Sequence, residues 1–235
     1  MNKKIALLLL FLSGLLFSAP GFAFKLEPLY TTLSPSGSGA EKTFRVVNPG
    51  GKPIALEFRV TTRQQNIDGK ESRQPADDLF MLYPPQAIIP PGKSQKIRVQ
   101  WLGDTNPQKE LAFRLVAEQL PVNLEPNPQT GLKMVMTMVG SIYIRPEGVQ
   151  SHLTISGQRI VSGEQGNKLE LMVTNRGTAH ALLENLGLQL NNGQTLTGEA
   201  VQGAEGQNIL SGSTRRFYIP APTTHAQVTG IQHRQ

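Results

Sequence analysis

Leu132-Lys133-Met134-Val135-Met136-Thr137-Met138-Val139-Gly140-Ser141-Ile142-Tyr143-Ile144 reads as one long β-strand. At ~3.3 Å per residue it would run about 43 Å, well beyond the typical strand of about five or six residues. Side chains alternate along a strand. Leu132, Met134, Met136 and Met138 therefore fall on one face, and Val135, Thr137 and Val139 on the other. Both faces are largely apolar. Two readings follow: a central strand buried on both sides, or an edge strand whose apolar row is finished by another protein. An exposed, flat, apolar edge is an aggregation hazard unless a partner covers it. Three methionines at alternate positions suit the second reading, because the flexible, polarizable thioether adapts to several shapes. Strand addition would give that partner main-chain hydrogen bonds and alternate side-chain anchors.

The rest of the chain has the same texture. Leu56, Phe58 and Val60 alternate with Glu57, Arg59 and Thr61, and Ile97, Val99 and Trp101 with Lys96, Arg98 and Gln100. This period of two marks half-buried strands. Asn48-Pro49-Gly50-Gly51, Asp68-Gly69, Pro84-Pro85 and Pro90-Pro91-Gly92 are turn punctuation. About seven strands are expected in the first half, near 26–33, 42–48, 55–62, 79–83, 95–101, 111–120 and 132–144. Seven short strands with frequent turns suggest an immunoglobulin-like sandwich. Arg145-Pro146-Glu147-Gly148 breaks the pattern and makes a domain joint. Beyond it, Leu153 to Val161, Lys168 to Thr174, Ala181 to Leu190 and Arg216 to Ile219 are strand candidates, and Asn191-Asn192-Gly193 is a hairpin signal. The expected division is a leader at 1–23, a first domain at 24–145 and a smaller second sandwich at 146–235.

Bulk composition agrees. Gly and Pro number 23 and 17 in 235 residues, which favours turns over long helices. Lys3 and Lys4 precede an apolar run from Ile5 to Phe17, too short for a membrane span, and Gly21-Phe22-Ala23 offers a cleavage site. A secretory signal peptide cut after Ala23 is expected, with no stable membrane insertion afterwards. Removing Lys3 and Lys4 lowers the net charge from +6 to +4. The remaining basic residues are scattered, so nucleic-acid binding gains no support. There are no cysteines, which excludes disulfides and thiolate chemistry.

Four segments resemble the periplasmic chaperones of chaperone–usher pilus assembly, most closely their archaic branch. They are Phe44-Arg45-Val46-Val47-Asn48-Pro49, Leu82-Tyr83-Pro84-Pro85-Gln86 with Ile89 to Val99, Glu110 to Pro121, and the long strand closing at Tyr143-Ile144-Arg145-Pro146. The resemblance implies an all-β protein of two immunoglobulin-like β-sandwich domains set at an angle like a boomerang. It implies pilin subunits and an outer-membrane usher as partners, and it leaves open whether the free form self-associates. It further implies donor-strand complementation: the last strand of domain one fills the gap of a subunit that lacks its own last strand. By position, Leu132, Met134, Met136 and Met138 would be the donor side chains. Burying four such side chains is worth about 6–12 kcal/mol before ordering costs.

One family feature is missing. Many members hold the subunit's terminal carboxylate with an Arg on the first strand and a Lys on the last strand of domain one. Those positions fall here on Thr31 or Thr32 and on Ser141. The archaic branch lacks this anchor too. Arg114 is the candidate replacement: it lies opposite in phase to Phe113, Leu115 and Ala117, and an Arg on an apolar strand face can hold a carboxylate bidentately. The plainer reading is a structural salt bridge, for instance with Glu118 or Glu57. Arg98 is a second, weaker candidate on a face that otherwise reads as solvated. Glu110 and Arg145 match two members of a family salt bridge that fixes the angle between domains; the third, an acidic residue in domain two, has no clear counterpart.

Rival functions fare worse. His152, His180, His225 and His233 lie in the second half outside any H-E-x-x-H spacing, and isolated histidines are usually surface residues. There is no G-x-S-x-G elbow and no phosphate-binding G-x-x-x-x-G-K-S/T, and Ser34 to Gly39 lacks the Lys and helix of a phosphate cradle. No catalytic residue, metal site or cofactor is expected. A structural pilus component or adhesin is the nearest alternative, but the complete last strand argues against it. A carbohydrate-binding module would show an exposed aromatic cluster, whereas Trp101 is the sole Trp and reads as core-facing.

Overall fold

The computed structural model describes residues 23–122, 124, 135–163 and 166–233. The leader before Ala23 and two of the expected donor residues, Leu132 and Met134, lie outside the described residues. The first half forms β1 (Lys25–Glu27), β2 (Tyr30–Leu33), β3 (Glu41–Val47), β4 (Ile54–Thr62), β5 (Gln64–Gln65), β6 (Glu71–Ser72), β7 (Phe80–Tyr83), β8 (Gln86–Ile89), β9 (Ser94–Trp101), β10 (Leu111–Gln119) and β11 (Thr137–Ile144). Two sheets face each other, one ordered β1-β3-β9-β7 and the other β2-β11-β10-β4-β8, while β5 and β6 form a separate small hairpin.

Period-two alternation makes the core. Ile97, Val99 and Trp101 of β9 point in, with Lys96 and Arg98 out, and Phe44, Leu56, Val60, Leu115 and Ile142 meet them with essentially no exposure. Trp101 and Phe113 pack edge-on or tilted around Phe80, with centroids 5.0 Å from Phe80 in both cases. Asn48 is buried but fully used: its amide donates to the carbonyls of Lys52, Ile89 and Pro90, and its Oδ1 accepts the Gly50 N–H. A buried amide is tolerated only when so satisfied, which explains the Asn-Pro-Gly turn read from the sequence.

Two expectations change in detail. The single strand expected at 26–33 is two strands, because Pro28 has no N–H to continue a ladder. β1 joins one sheet and β2 the other. The strand expected at 132–144 is regular over Thr137–Ile144 among the described residues. The β5–β6 hairpin and β8 had no counterpart in the expected set, since a two-residue ladder and a strand next to two prolines carry almost no periodic signal.

The second half is another sandwich: β12 (Leu153–Gly163), β13 (Gly166–Asn175), β14 (Ala181–Leu182), β15 (Gly187–Leu190), β16 (Thr195–Leu196), β17 (Asn208–Ile209), β18 (Thr214–Pro220) and β19 (Val228–Gln232). Sheets β12-β13-β18 and β16-β15-β19, with the β14-β17 pair, enclose a separate core of Leu169, Leu171, Val173, Leu188, Ile209, Phe217 and Ile219. The hairpin at Asn191-Asn192-Gly193 joins β15 to β16 as expected. The segment expected as one strand at 181–190 breaks into β14 and β15. Asn175 repeats the device of Asn48 at the end of β13: it is fully buried, donates to Ala179 and Ile209 carbonyls, and accepts the Gly177 N–H. The two halves thus share a strand-end solution that sequence comparison of the halves does not expose.

Leu115 is fully buried beneath β11. Leu115→Ala is expected to destabilise domain one by about 2–5 kcal/mol. Trp101, the only Trp, reports this domain alone, so denaturant unfolding followed by its fluorescence is the check.

Candidate functional site

β11 is paired on both sides for only half its length. It runs antiparallel to β10 over all eight residues, Leu111↔Ile144 to Glu118↔Thr137. On its other side β2 lies parallel to it, but only from Ser141↔Tyr30 to Ile144↔Leu33. The Ser141 N–H reaches the Leu29 carbonyl, and Met136 accepts from the Gln119 N–H on the opposite side. Backbone groups alternate between the two sides of a strand. The N–H and C=O groups of Val135, Thr137 and Val139 therefore face an edge that no strand pairs with among the described residues. Met136 and Met138 sit on the core-facing side, half-buried against the domain-one core, in line with Gly140, Ile142 and Ile144. Gly140 marks the close approach where β2 begins: a Cβ there would lie 3.2 Å from Leu26 Cδ2 and 3.3 Å from the Leu29 oxygen.

The opposite face of the same sheet carries charge. Arg114 stands across from Ser141 in the ladder and hydrogen-bonds its hydroxyl. The rest of the guanidinium holds Glu71 of β6 through Nε (3.0 Å) and Nη2. Arg63 joins from the end of β4, donating from Nε to Glu71 (2.7 Å) and from Nη1 to the Tyr143 hydroxyl (2.6 Å). Arg73 approaches Glu71 at 3.2 Å. Burial opposes ionisation of Glu71, but the hydrogen bonds and charges of Arg114 and Arg63 outweigh it and hold its pKa at about 2. From domain two, Arg215 lies beside this group, 5% exposed; its Nη1 donates to the Asn208 carbonyl and its Nη2 to Gln207, while its Nε has no partner.

Two clasps join the domains around this cluster. At the first, the buried Glu110 carboxylate accepts from Arg145 Nε (2.5 Å) and lies 2.5 Å from His180 Nδ1, and it also accepts the His180 N–H. The same Nδ1 also lies 3.2 Å from Arg145 Nη2, so the His180 ring faces both members of the bridge. The His180 ring stacks on Tyr143 at 4.0 Å, and Tyr143 accepts from Asn208 of domain two. Burial works to raise the Glu110 pKa, but its bonds to His180 and Arg145 hold it below the ordinary value. At the second clasp, the tip of the β5–β6 hairpin meets β18. Arg216 N–H donates to the Ile67 carbonyl (2.7 Å), and the Arg216 guanidinium holds Asp68 through Nε and Nη2.

The sequence-derived residues are only partly gathered by the fold. Met136, Met138 and Arg114 share one strand pair, while Glu110 and Arg145 pair as the resemblance implies. The third member of that bridge is His180, a residue read from sequence as a surface histidine. Arg114 does form a salt bridge, but with Glu71; Glu118 pairs with Arg59, and Glu57 takes Gln86. Arg98 is exposed and bound to Glu41, away from the cluster. Thr31 is buried and Thr32 exposed, so neither supplies a cation. Arg63, Glu71 and Arg215 went unread, and Tyr143 was read only as part of the closing strand. The only local signal was Asp68-Gly69, a hairpin tip flanked by polar residues.

The family model of pili and flagellar-assembly chaperones, PapD N-terminal domain, matches residues 25–150, more than half of the chain. The chain belongs to this family of pilus-assembly chaperones, which is not a class of enzymes. No curated protein matches it. Its fold is similar to that of the class 5 fimbriae chaperone CfaA, at TM-score 0.58 and 15% identity over 91% of this chain and 93% of that one. It is also similar to a chain of the CsuC–CsuE chaperone–tip adhesion subunit pre-assembly complex from archaic chaperone–usher Csu pili of Acinetobacter baumannii, at 0.59 and 18%, covering 88% and 97%. The Salmonella enterica SafA pilin in complex with the SafB chaperone gives 0.54 and 19%, covering 91% and 96%.

The low Glu71 pKa sets an acid dependence. A carboxylate whose folded pKa lies below its unfolded value of 4.5 stabilises above that value and loses the contribution as pH falls toward about 2. The shift corresponds to about 3 kcal/mol. Glu71→Gln is expected to lower domain-one stability by that order at pH 7 and to flatten its pH dependence between 4.5 and 2, measured by Trp101 fluorescence. At the first clasp, Glu110→Arg is expected to change the interdomain angle seen by solution scattering; an unchanged profile would count against a role for Glu110 in fixing it.

Proposed function

We propose that the chain is an exported periplasmic chaperone that caps pilus subunits by donor-strand complementation and delivers them to an outer-membrane usher. The observation that carries this reading is the half-paired β11, whose open edge at 135–140 lies beside an inward-facing row of methionines. A subunit lacking its last strand exposes a groove and unpaired backbone groups, both costly in water. Val135, Thr137 and Val139 would supply the missing backbone partners. Met136 and Met138, with Leu132 and Met134 further along the chain, would supply the side chains that fill the groove. The leader 1–23 would export the protein and be removed, leaving 24–145 and 146–235 as the working domains.

Ser141 is where β2 takes over the edge, so a strand added to 135–140 ends beside Ser141, whose hydroxyl Arg114 binds from the other side of β11. A subunit's terminal carboxylate would meet guanidinium groups there, with Arg114 as the anchor and Arg63 beside it. Arg98 lies on the other sheet and is bound to Glu41, so it is not assigned this role. In the free form the same edge could pair with a second copy of the chain.

Met134→Glu/Met136→Glu would place two charges in the subunit groove. Losing two buried side chains at about 1.5–3 kcal/mol each predicts at least ~100-fold weaker binding. The test is co-purification from the periplasm with the pilin encoded nearby. A one-to-one complex lost in the variant, with its circular dichroism unchanged, is expected. An unchanged complex would move the binding surface elsewhere, and no complex with the wild type would reopen the adhesin reading.

A further inference from the structure

Around the end of the open edge, charge is out of balance. Arg63, Arg73, Arg114 and Arg215 converge on two carboxylates, Glu71 within the cluster and Asp68 at its margin, so cations still outnumber carboxylates. Among the described residues Arg215 has no carboxylate within ion-pair distance and an unpartnered Nε, although it is almost fully buried; Asp68 and Glu71 act on it only from farther away. Such a group favours one more anion. Glu71 already fills the prime position, bound by both Arg63 and Arg114.

Glu71 is also mechanically tied to domain two. It pairs with Gln65 across the hairpin, and Asn66 closes the tip: Asn66 N–H donates to the Lys70 carbonyl, and its Oδ1 accepts the N–H groups of Asp68 and Lys70. Gly69 is at φ +81, and a Cβ there would fall 2.2 Å from Arg215 Nη2, so the tip is seated directly on Arg215. These bonds close residues 65–71 into one turn, which places Glu71 three and four positions along the chain from the Asp68 and Ile67 contacts to Arg216.

Strand geometry indicates what would displace it. A strand added beside 135–140 must stop at Ser141, since β2 occupies the edge beyond. Its end therefore lies at Ser141, whose hydroxyl Arg114 binds from β10 on the far side of β11, and a cationic site there selects the end that carries a carboxylate. That choice requires the added strand to run parallel to β11.

We propose that Glu71 is an internal stand-in for the C-terminal carboxylate of a bound polypeptide, and that the 64–72 hairpin is a latch which this carboxylate opens, loosening the second clasp between the domains. The proposal rests on the capping role above and adds a regulation to it: subunit binding is read out as a freer interdomain contact. Coupling of this kind is reciprocal, so weakening the clasp strengthens carboxylate binding.

The test uses the mature chain and acetate as the probe, which needs no subunit and so fails independently of the capping role. Acetate is titrated at pH 7 while the Arg114 Nε–H signal is followed by NMR, and exchange of the Arg216 amide is measured in parallel. Glu71→Gln is expected to bind acetate at least tenfold more tightly than the wild type. Arg216→Ala removes the ion pair to Asp68 together with one positive charge, leaves Glu71, Arg63, Arg114 and Arg215 in place, and is expected to tighten acetate binding about two- to fivefold, against the electrostatic effect of the lost cation. Saturating acetate is expected to speed Arg216 amide exchange in the wild type. Equal acetate affinity in wild type and both variants overturns the stand-in role, and unchanged Arg216 exchange overturns the latch. A bound pilin with its native terminus should speed the same exchange, and one with six residues added after that terminus should not; equal effects would overturn the assignment of the carboxylate to a chain end.

Discussion

Among the described residues, the structure turns on a strand with a partner on one side for its full length and on the other for half of it. β10 pairs all of β11, while β2 covers only Ser141 to Ile144. Every backbone group left on the open half is a hydrogen bond to be made elsewhere, and water alone offers no reason to keep such an edge flat and apolar. Gly140 and the crossing of the chain from β1 to β2 set where the cover ends. The position of that boundary decides which residues are free to pair and which side chains stand at the limit of the edge.

Beside that limit, the sheet changes from an apolar to a charged face. Arg114, Arg63 and Glu71 form a partly buried ion cluster held together by strong, charge-assisted hydrogen bonds. Tyr143 connects it to Glu110, His180 and Arg145, and the 64–72 hairpin connects it to Arg216. The strand edge, the cation cluster and both interdomain clasps are thus neighbours. A perturbation at the edge has a short physical route to the domain contact.

The family model over residues 25–150 places the chain among pilus-assembly chaperones, and solved structures share its fold at identities of 15–19%. At that distance side-chain sites are not inherited automatically, and this chain illustrates why. The two positions that the resemblance would make cationic carry Thr31 or Thr32 and Ser141, while guanidinium groups arrive from β10 and the end of β4. The interdomain bridge keeps Glu110 and Arg145 but takes its third partner from a histidine.

Much of the fold was legible in local pattern. Alternation along β4, β9 and β11 gave their faces, and Asn-Pro-Gly, Asp-Gly and Asn-Asn-Gly gave turns, because these signals depend only on residues a few positions apart. The apolar, methionine-rich character of 132–138 was equally a property of the chain itself. Whether that strand lies inside a sheet or at its edge was not, since it depends on how far β2 runs alongside it. The ion cluster was out of reach for the same reason: Glu71 meets Arg114 from 43 positions away, and Glu110 meets His180 from 70. The sequence by itself determined the strands, their two faces and the turns between them; only the tertiary structure decided which edge stays open and which charges face each other, because pairing between distant segments is a matter of packing and not of pattern.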